Sequence, residues 1–433
     1  MQNRVGYFLN RLGERLWLKP LVMGLLSVGA AFVAKAVDLM SWAQGLPTVT
    51  VDSVETLLKA MSASMLVIAA LSVASMVSAY ASASNTATPR TFTLVVADDV
   101  SQNALSTFVG SFIFSIVSLI ALQNSYYGDS GRFILFVLTL VVFALVIAVF
   151  VRWVDRIARL GRVVSTIEKV ENATAKAMRG VRSAPTLRAR PIAEHSVSGD
   201  VVYSSVIGYV QEVDVEELQA CAERGDLQVA VAALPGTFAA PGVALAHVYS
   251  EFGTTPESEH PSIQKAFLIG DERVYESDPR FGLVVLAEVA SRALSAGVND
   301  PGTAIDVIGR LVRLFSLWNE PVADAMQKPC KYDRVEVPEP ELADMFDDVF
   351  TPIGRDGAGS VEVVVRTLKA LEALAAVGDE RMRELAMRHA QLVLSRAEIA
   401  MVLDDDRRSA RHAARFAASD VERCASAGAS QPE

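Results

Sequence analysis

The sequence predicts an α-helical membrane domain of four transmembrane helices, followed by a cytoplasmic α+β domain that is mostly helical with a small β unit. Three observations predict it. Four apolar segments, at about Pro20–Met40, Met61–Ser82, Leu105–Leu122 and Phe133–Trp153, all fall in the first third of the 433 residues. Each approaches the ~20 residues that a helix needs to cross a hydrocarbon core of ~30 Å. Basic residues outnumber acidic ones up to residue 183, whereas the remainder is acidic enough to bring the net charge to −10. Beyond residue 200, short alternating runs give way to long helical periodicity. The expected division is 1–160 for the spans, 161–200 for a helix extension and linker, 201–250 for the β-rich unit and 260–425 for a helical domain.

Lys and Arg are retained on the cytoplasmic side of a membrane. Arg4, Arg11, Arg15 and Lys19 precede the first segment, Arg90 lies between the second and third, and Arg152, Arg156, Arg159 and Arg162 follow the fourth. The other two loops carry only Lys59 and Arg132, at segment edges. The pattern places both termini in the cytoplasm of a cell whose inner membrane holds the chain. Lys35 and Asp38 interrupt the first segment, and its basic start and Ala34-Lys35-Ala36 tripeptide also fit a cleaved signal peptide. No proline lies between Arg152 and Arg179, which predicts that the fourth helix extends into the second domain. The basic collar from Arg152 to Arg190 fits anionic headgroups as well as a topology signal.

Polar residues in the spans are small. Ser75, Ser78 and Ser82 recur at i, i+3 and i+7 on the second, and Ser111, Ser115 and Ser118 share a face of the third beside Gly110. Such faces let helices approach and hydrogen-bond. Helix packing is the expected role, and the alternative is a polar lining for a permeation path, within one copy or around an oligomer axis. Segments two to four hold no deep charge, which argues against a proton-coupled transporter.

Between the second and third segments, Thr88-Pro89-Arg90 is followed by Asp98-Asp99-Val100-Ser101-Gln102, where the proline stops a helix and Asp98 or Ser101 can cap the next. Here the chain resembles the bacterial membrane proteins grouped as domain of unknown function 2254, whose stretch runs from Ser-Pro-Arg to Asp-Arg-Val-Thr-Gln; Asp99 replaces a basic residue. A second match is more specific. The family pattern is similar to Gly-x-x-Arg-Thr-x-x-x-Asp-Pro-x-Phe-Gly, then Arg-Ala-Leu-Ser-Pro-Gly-Ile-Asn-Asp-Pro-x-Thr-Ala. Gly270, Arg273, Asp278-Pro279, Phe281-Gly282, Arg292 to Ser295, Gly297, Asn299 to Pro301 and Thr303-Ala304 match it, while Val274 and Ala296 depart. The resemblance covers Trp17 to about Ala376. It implies a membrane location and no particular activity.

Physically, this segment is two helices around a corner. Asp278-Pro279 and Asp300-Pro301 are helix starts, and Gly297 suits a left-handed close between them. Leu283, Leu286, Val289, Ala290 and Ala293 form the apolar face. Arg273, Asp278, Arg292, Asn299, Asp300 and Thr303 are the candidate polar site; the same residues could instead serve only as caps and paired arginines.

Strands are expected over Val206–Val213, Leu227–Leu234 and Val243–Val248, with a helix over Val215–Arg224. The turn from Pro235 to Gly242 looks like those of biotinyl/lipoyl modules but offers no lysine for a cofactor, so a structural or oligomerising unit is expected. Helices follow over Ser360–Ala376, Asp379–Val402 and Asp406–Ala418. Gly354, Gly357 and Gly359 precede the first of these without a phosphate-loop lysine, which predicts a flexible loop.

His195, His247, His260, His389 and His412 are scattered, as are Cys221, Cys330 and Cys424, so neither metal ligands nor disulfides are expected. The acidic second domain excludes nucleic acid as a partner. No nucleophile–base pair stands out, and neither an enzyme nor a cofactor is expected. The partners are the lipid bilayer and other copies in a homo-oligomer. The functional expectation is a pore or transporter-like assembly regulated by the second domain, the alternative a non-transporting signalling or scaffold protein.

Overall fold

The structure, a computed structural model, describes residues 18–37, 47–96, 99–157, 162–192, 199–250, 260–322 and 327–417. Arg4, Arg11, Arg15, Trp17, Asp38, Asp98, Arg159, His195 and Cys424 lie outside the described residues. The chain folds as two units, Met1–Thr166 and Ile167–Glu433.

The first unit is built on α1 (Leu18–Val37), α2 (Val51–Thr86), the short α3 (Phe92–Val96), α4 (Asp99–Gln123) and α5 (Asp129–Ile157). Four of these, all but α3, are long and apolar enough to cross a membrane. Half of the most apolar window of α4 is buried, against 17% in α1 and α5, which makes α4 the centre of the bundle. Packing agrees: α1, α2 and α5 all lie on α4. Glycine brings α1 and α4 together, because a Cβ on Gly24 would lie 2.8 Å from Ile113 Cδ1 and one on Gly110 would lie 3.2 Å from Met23 Cβ. At one level Phe108 and Trp153 meet edge to face, 6.0 Å apart. Most of the outward side chains are apolar, among them Leu25, Phe32, Val67, Val77 and Val141, as a surface facing hydrocarbon requires.

Two expectations here are corrected. Ser101 does not cap α4: it lies within the helix and is buried. The fourth span does not run on as one helix either, since Arg162 is non-helical and α6 (Val163–Ser183) starts after it. The proline does punctuate as expected, because α2 ends at Thr86 and Thr88 Oγ1 caps a single turn by accepting from Arg90 N.

The second unit has two sheets and a helical layer. Its strands are β1 (Ala189–Pro191), β2 (Asp200–Tyr203), β3 (Gly208–Val213), β4 (Gln228–Val231), β5 (Phe238–Ala239), β6 (Ala244–Tyr249), β7 (Phe267–Gly270) and β8 (Tyr332–Val337). One sheet has the order β1-β8-β4-β6-β2, with β8 parallel to both neighbours; the other is the antiparallel β5-β3-β7. The β structure therefore reaches well outside residues 201–250. Helix α7 (Val215–Gly225) closes the sheet core with Leu218, Cys221 and Ala222, over Val229, Val231 and Val335.

The helical layer comprises α8 (His260–Lys265), α9 (Pro279–Ala293), α10 (Pro301–Asn319), α11 (Leu342–Asp356), α12 (Val361–Val377), α13 (Glu380–Ala400) and α14 (Asp404–Ala413). Phe315, Phe346 and Phe350 stack at its centre beside the buried His389. Gly354 is a helix residue, not a loop residue: a Cβ there would stand 2.9 Å from Val393 Cγ2, so its smallness seats α11 on α13. Helix α6 contributes Ile167, Val170, Thr174 and Met178 to this core, with Thr174 against Gly282 of α9. Burial pushes the Glu171 carboxyl up, but the guanidiniums of Arg313 and Arg310, at 2.7 and 2.6 Å, outweigh it and hold it below its ordinary value.

Candidate functional site

The six expected polar residues do not form one cluster. They divide between the two ends of α9, which at 15 residues is about 22 Å long.

At the N-terminal end, Asp278 is 2% exposed and caps α9, accepting from Phe281 N at 3.1 Å. Its other oxygen accepts from Arg273 Nε at 2.7 Å, and the Arg273 guanidinium lies over the Phe281 ring. Burial pushes the Asp278 carboxyl above its ordinary range, despite the opposing pull of Arg273. Gly236, at φ +92°, turns against this pair: a Cβ there would lie 2.3 Å from Asp278 Oδ2. Beside it, Arg280 donates to Asp348 at 2.7 Å and to Asp344 at 2.5 Å. Burial works against the Arg280 charge, but these carboxylates hold its pKa above the ordinary value. All of these groups except Asp348 and Phe281 border one cleft of about 340 Å³.

At the C-terminal end, Arg292, Asn299 and Asp300 are exposed. Asp300 caps α10, accepting from Thr303 N at 3.1 Å and Thr303 Oγ1 at 2.6 Å. The Thr303 hydroxyl, more than its amide, holds the Asp300 carboxyl below its ordinary value. Asn299 carries the left-handed backbone, at φ +49°, that the sequence assigns to Gly297. The hydrogen bonds at this corner are those of a helix cap.

The serine rows separate as well. Ser111, Ser115 and Ser118 are buried inside the first unit, with Ser115 donating to the Ser111 carbonyl at 2.8 Å. Ser75 is half-buried, while Ser78 and Ser82 are exposed on the outside of α2. The hollow between α2 and α5, about 230 Å³, is bordered by Met61, Ser64, Thr139 and Phe143 among others, and by neither row.

Sequence reasoning missed Arg280, Asp344, Asp348 and the role of Gly236. Arg280 falls at the unspecified position of the Asp-Pro-x-Phe-Gly pattern, and its carboxylate partners follow 64 and 68 residues later on α11. The one signal was a Pro-Gly turn, at Pro235-Gly236, in front of a predicted strand.

A bundle of four apolar helices together with a separately folded α+β unit defines a membrane protein with a large non-membrane domain. The chain belongs to the family described as Predicted membrane protein (DUF2254), which matches residues 13–373. It is also similar to uncharacterized proteins of Mycobacterium bovis and Mycobacterium tuberculosis, 28% identical over 226 residues, half of this chain. That stretch spans 43% of those relatives' own length. No solved structure matches.

Proposed function

We propose that this protein is a pore or transporter-like assembly of several copies in the inner membrane, regulated by its second unit. The observation that carries the reading is the split between the serine rows. One row is packed shut inside the bundle, whereas Ser78 and Ser82 face outward among side chains suited to lipid. Hydroxyls on an outer helix face gain most by meeting the same face of another copy. The path then lies at an oligomer axis and not within one bundle. In this reading both termini and the second unit are cytoplasmic, following the basic residues, and the chain is not an enzyme.

A second reading, a signalling or scaffold protein whose spans only anchor and oligomerise it, rests on the same outward row, since small polar faces also serve plain association. Solute flux from purified protein in liposomes separates the two. Ser78→Ala and Ser82→Ala should change flux while the oligomer persists. Ser115→Leu should instead weaken the bundle itself by about 1–3 kcal/mol through overpacking. An intact oligomer that passes no ion or small solute under any gradient leaves only the scaffold reading.

A further inference from the structure

The cleft at the start of α9 has a charge pattern that specifies a ligand. Most of its charged groups are already used. Arg280 is held by Asp344 and Asp348, and Glu341 pairs with Arg381. Arg273 gives only its Nε to Asp278; its two Nη groups donate to no acceptor among the described residues, although the side chain is 20% exposed. Glu339, on the Pro338–Glu341 segment that also borders the cleft, has no ion-pair or hydrogen-bond partner among the described residues. What remains facing the space is one guanidinium edge and one carboxylate.

We propose that this cleft binds a small zwitterion, its carboxylate on the Arg273 Nη groups and its ammonium against Glu339. A guanidinium edge takes a carboxylate through two parallel bonds. A polyanion such as a nucleotide is disfavoured, because Glu339, Glu341 and Asp344 border the same space and outnumber the arginines. A simple cation is disfavoured by Arg273. Leu187, Leu234, Pro235 and Pro340 also border the cleft, an apolar lining that suits a short aliphatic body. The volume, about 340 Å³, is at the small end of ligand pockets, which run from about 300 to 1,000 Å³. Gly236 adds specificity of shape, since any side chain there would occupy the place of the Asp278 carboxylate.

The site does not depend on whether the membrane unit conducts, and its test reads occupancy alone. Full-length protein in detergent is titrated calorimetrically with γ-aminobutyrate, L-lysine, L-glutamine and glycine betaine, with acetate and ethylammonium as single-charge controls. At least one zwitterion should bind more tightly than both controls. Arg273→Lys, which keeps the charge but loses the fork, and Glu339→Gln, at an exposed and unpaired position, should each weaken it about tenfold or more. Melting curves establish that both variants are folded. The proposal is overturned if no zwitterion binds, if acetate binds as well as the zwitterions, if ethylammonium does, or if Glu339→Gln leaves the affinity unchanged.

Discussion

Asp278-Pro279 and Asp300-Pro301 open consecutive helices with the same two residues, yet one corner is buried in a cleft and the other stands in water. Both aspartates accept from the amide three residues on, at 3.1 Å. The difference lies in their second oxygen. Asp278 spends it on Arg273 from a neighbouring segment, Asp300 on the hydroxyl of its own Thr303. One pKa is raised by burial and the other lowered by local hydrogen bonds. A capping motif thus says where a helix begins and leaves open whether the cap is also part of a site. Long-range burial decides that.

The largest effect should come from Asp278→Ala. It leaves α9 uncapped and the Arg273 guanidinium unpaired in a mostly buried place, which should cost on the order of 3 kcal/mol. Denaturant or thermal unfolding of the purified chain measures it, and a loss no greater than that of Asp300→Ala would erase the distinction between the corners.

Asp300→Ala should cost less, about 0.5–2 kcal/mol, and Asp300→Ser should recover most of it, because serine still caps the Thr303 amide. Failure of serine to rescue would give Asp300 a role beyond capping. The cleft corner should respond differently, since Asp278→Ser restores a cap but not the partner of Arg273.

The smallest effect, and the sharpest in sign, is on pH dependence. A carboxyl with a raised folded pKa contributes most below its ordinary value of 3.8, and that contribution is lost as pH rises through the folded value. A lowered one contributes above 3.8 and is lost as pH falls through the folded value. Asp278→Asn should therefore gain on the wild type as pH rises from about 4, whereas Asp300→Asn should gain as pH falls below about 4. Melting temperatures across that range check both slopes, and slopes of the same sign would mean that the two aspartates share one environment.

The elements were legible where the signal is local. The apolar spans, the strand ending at Val213 and the helices after Ser360 announce themselves by period, and both Asp-Pro starts by residue type. Helix α11 was not, because Gly354 and Gly357 read as a loop, whereas Gly354 lies inside the helix and its smallness seats it on α13. Strand β8 was hidden for another reason: its parallel partners β1 and β4 are about 100 residues or more away, beyond any hairpin signal. The candidate site follows the same rule. Arg273 and Asp278 were named from a local pattern, but their separation from Asp300 and their meeting with Gly236 and Arg280 depend on tertiary packing.

The central position of α4 also constrains the order in which the protein can be made. Helices α1 and α2 leave the ribosome first, but they touch one another little, and each packs chiefly on α4. The glycine face of α1 at Gly24 has no partner until Ile113 has been synthesised, nearly ninety residues later. The first two spans therefore have little to pack on until the third arrives, and the fourth, α5, completes the bundle by packing on all three. Chains that end before Asp99 would leave two apolar helices with nothing to pack on, the kind of product that membrane quality control removes.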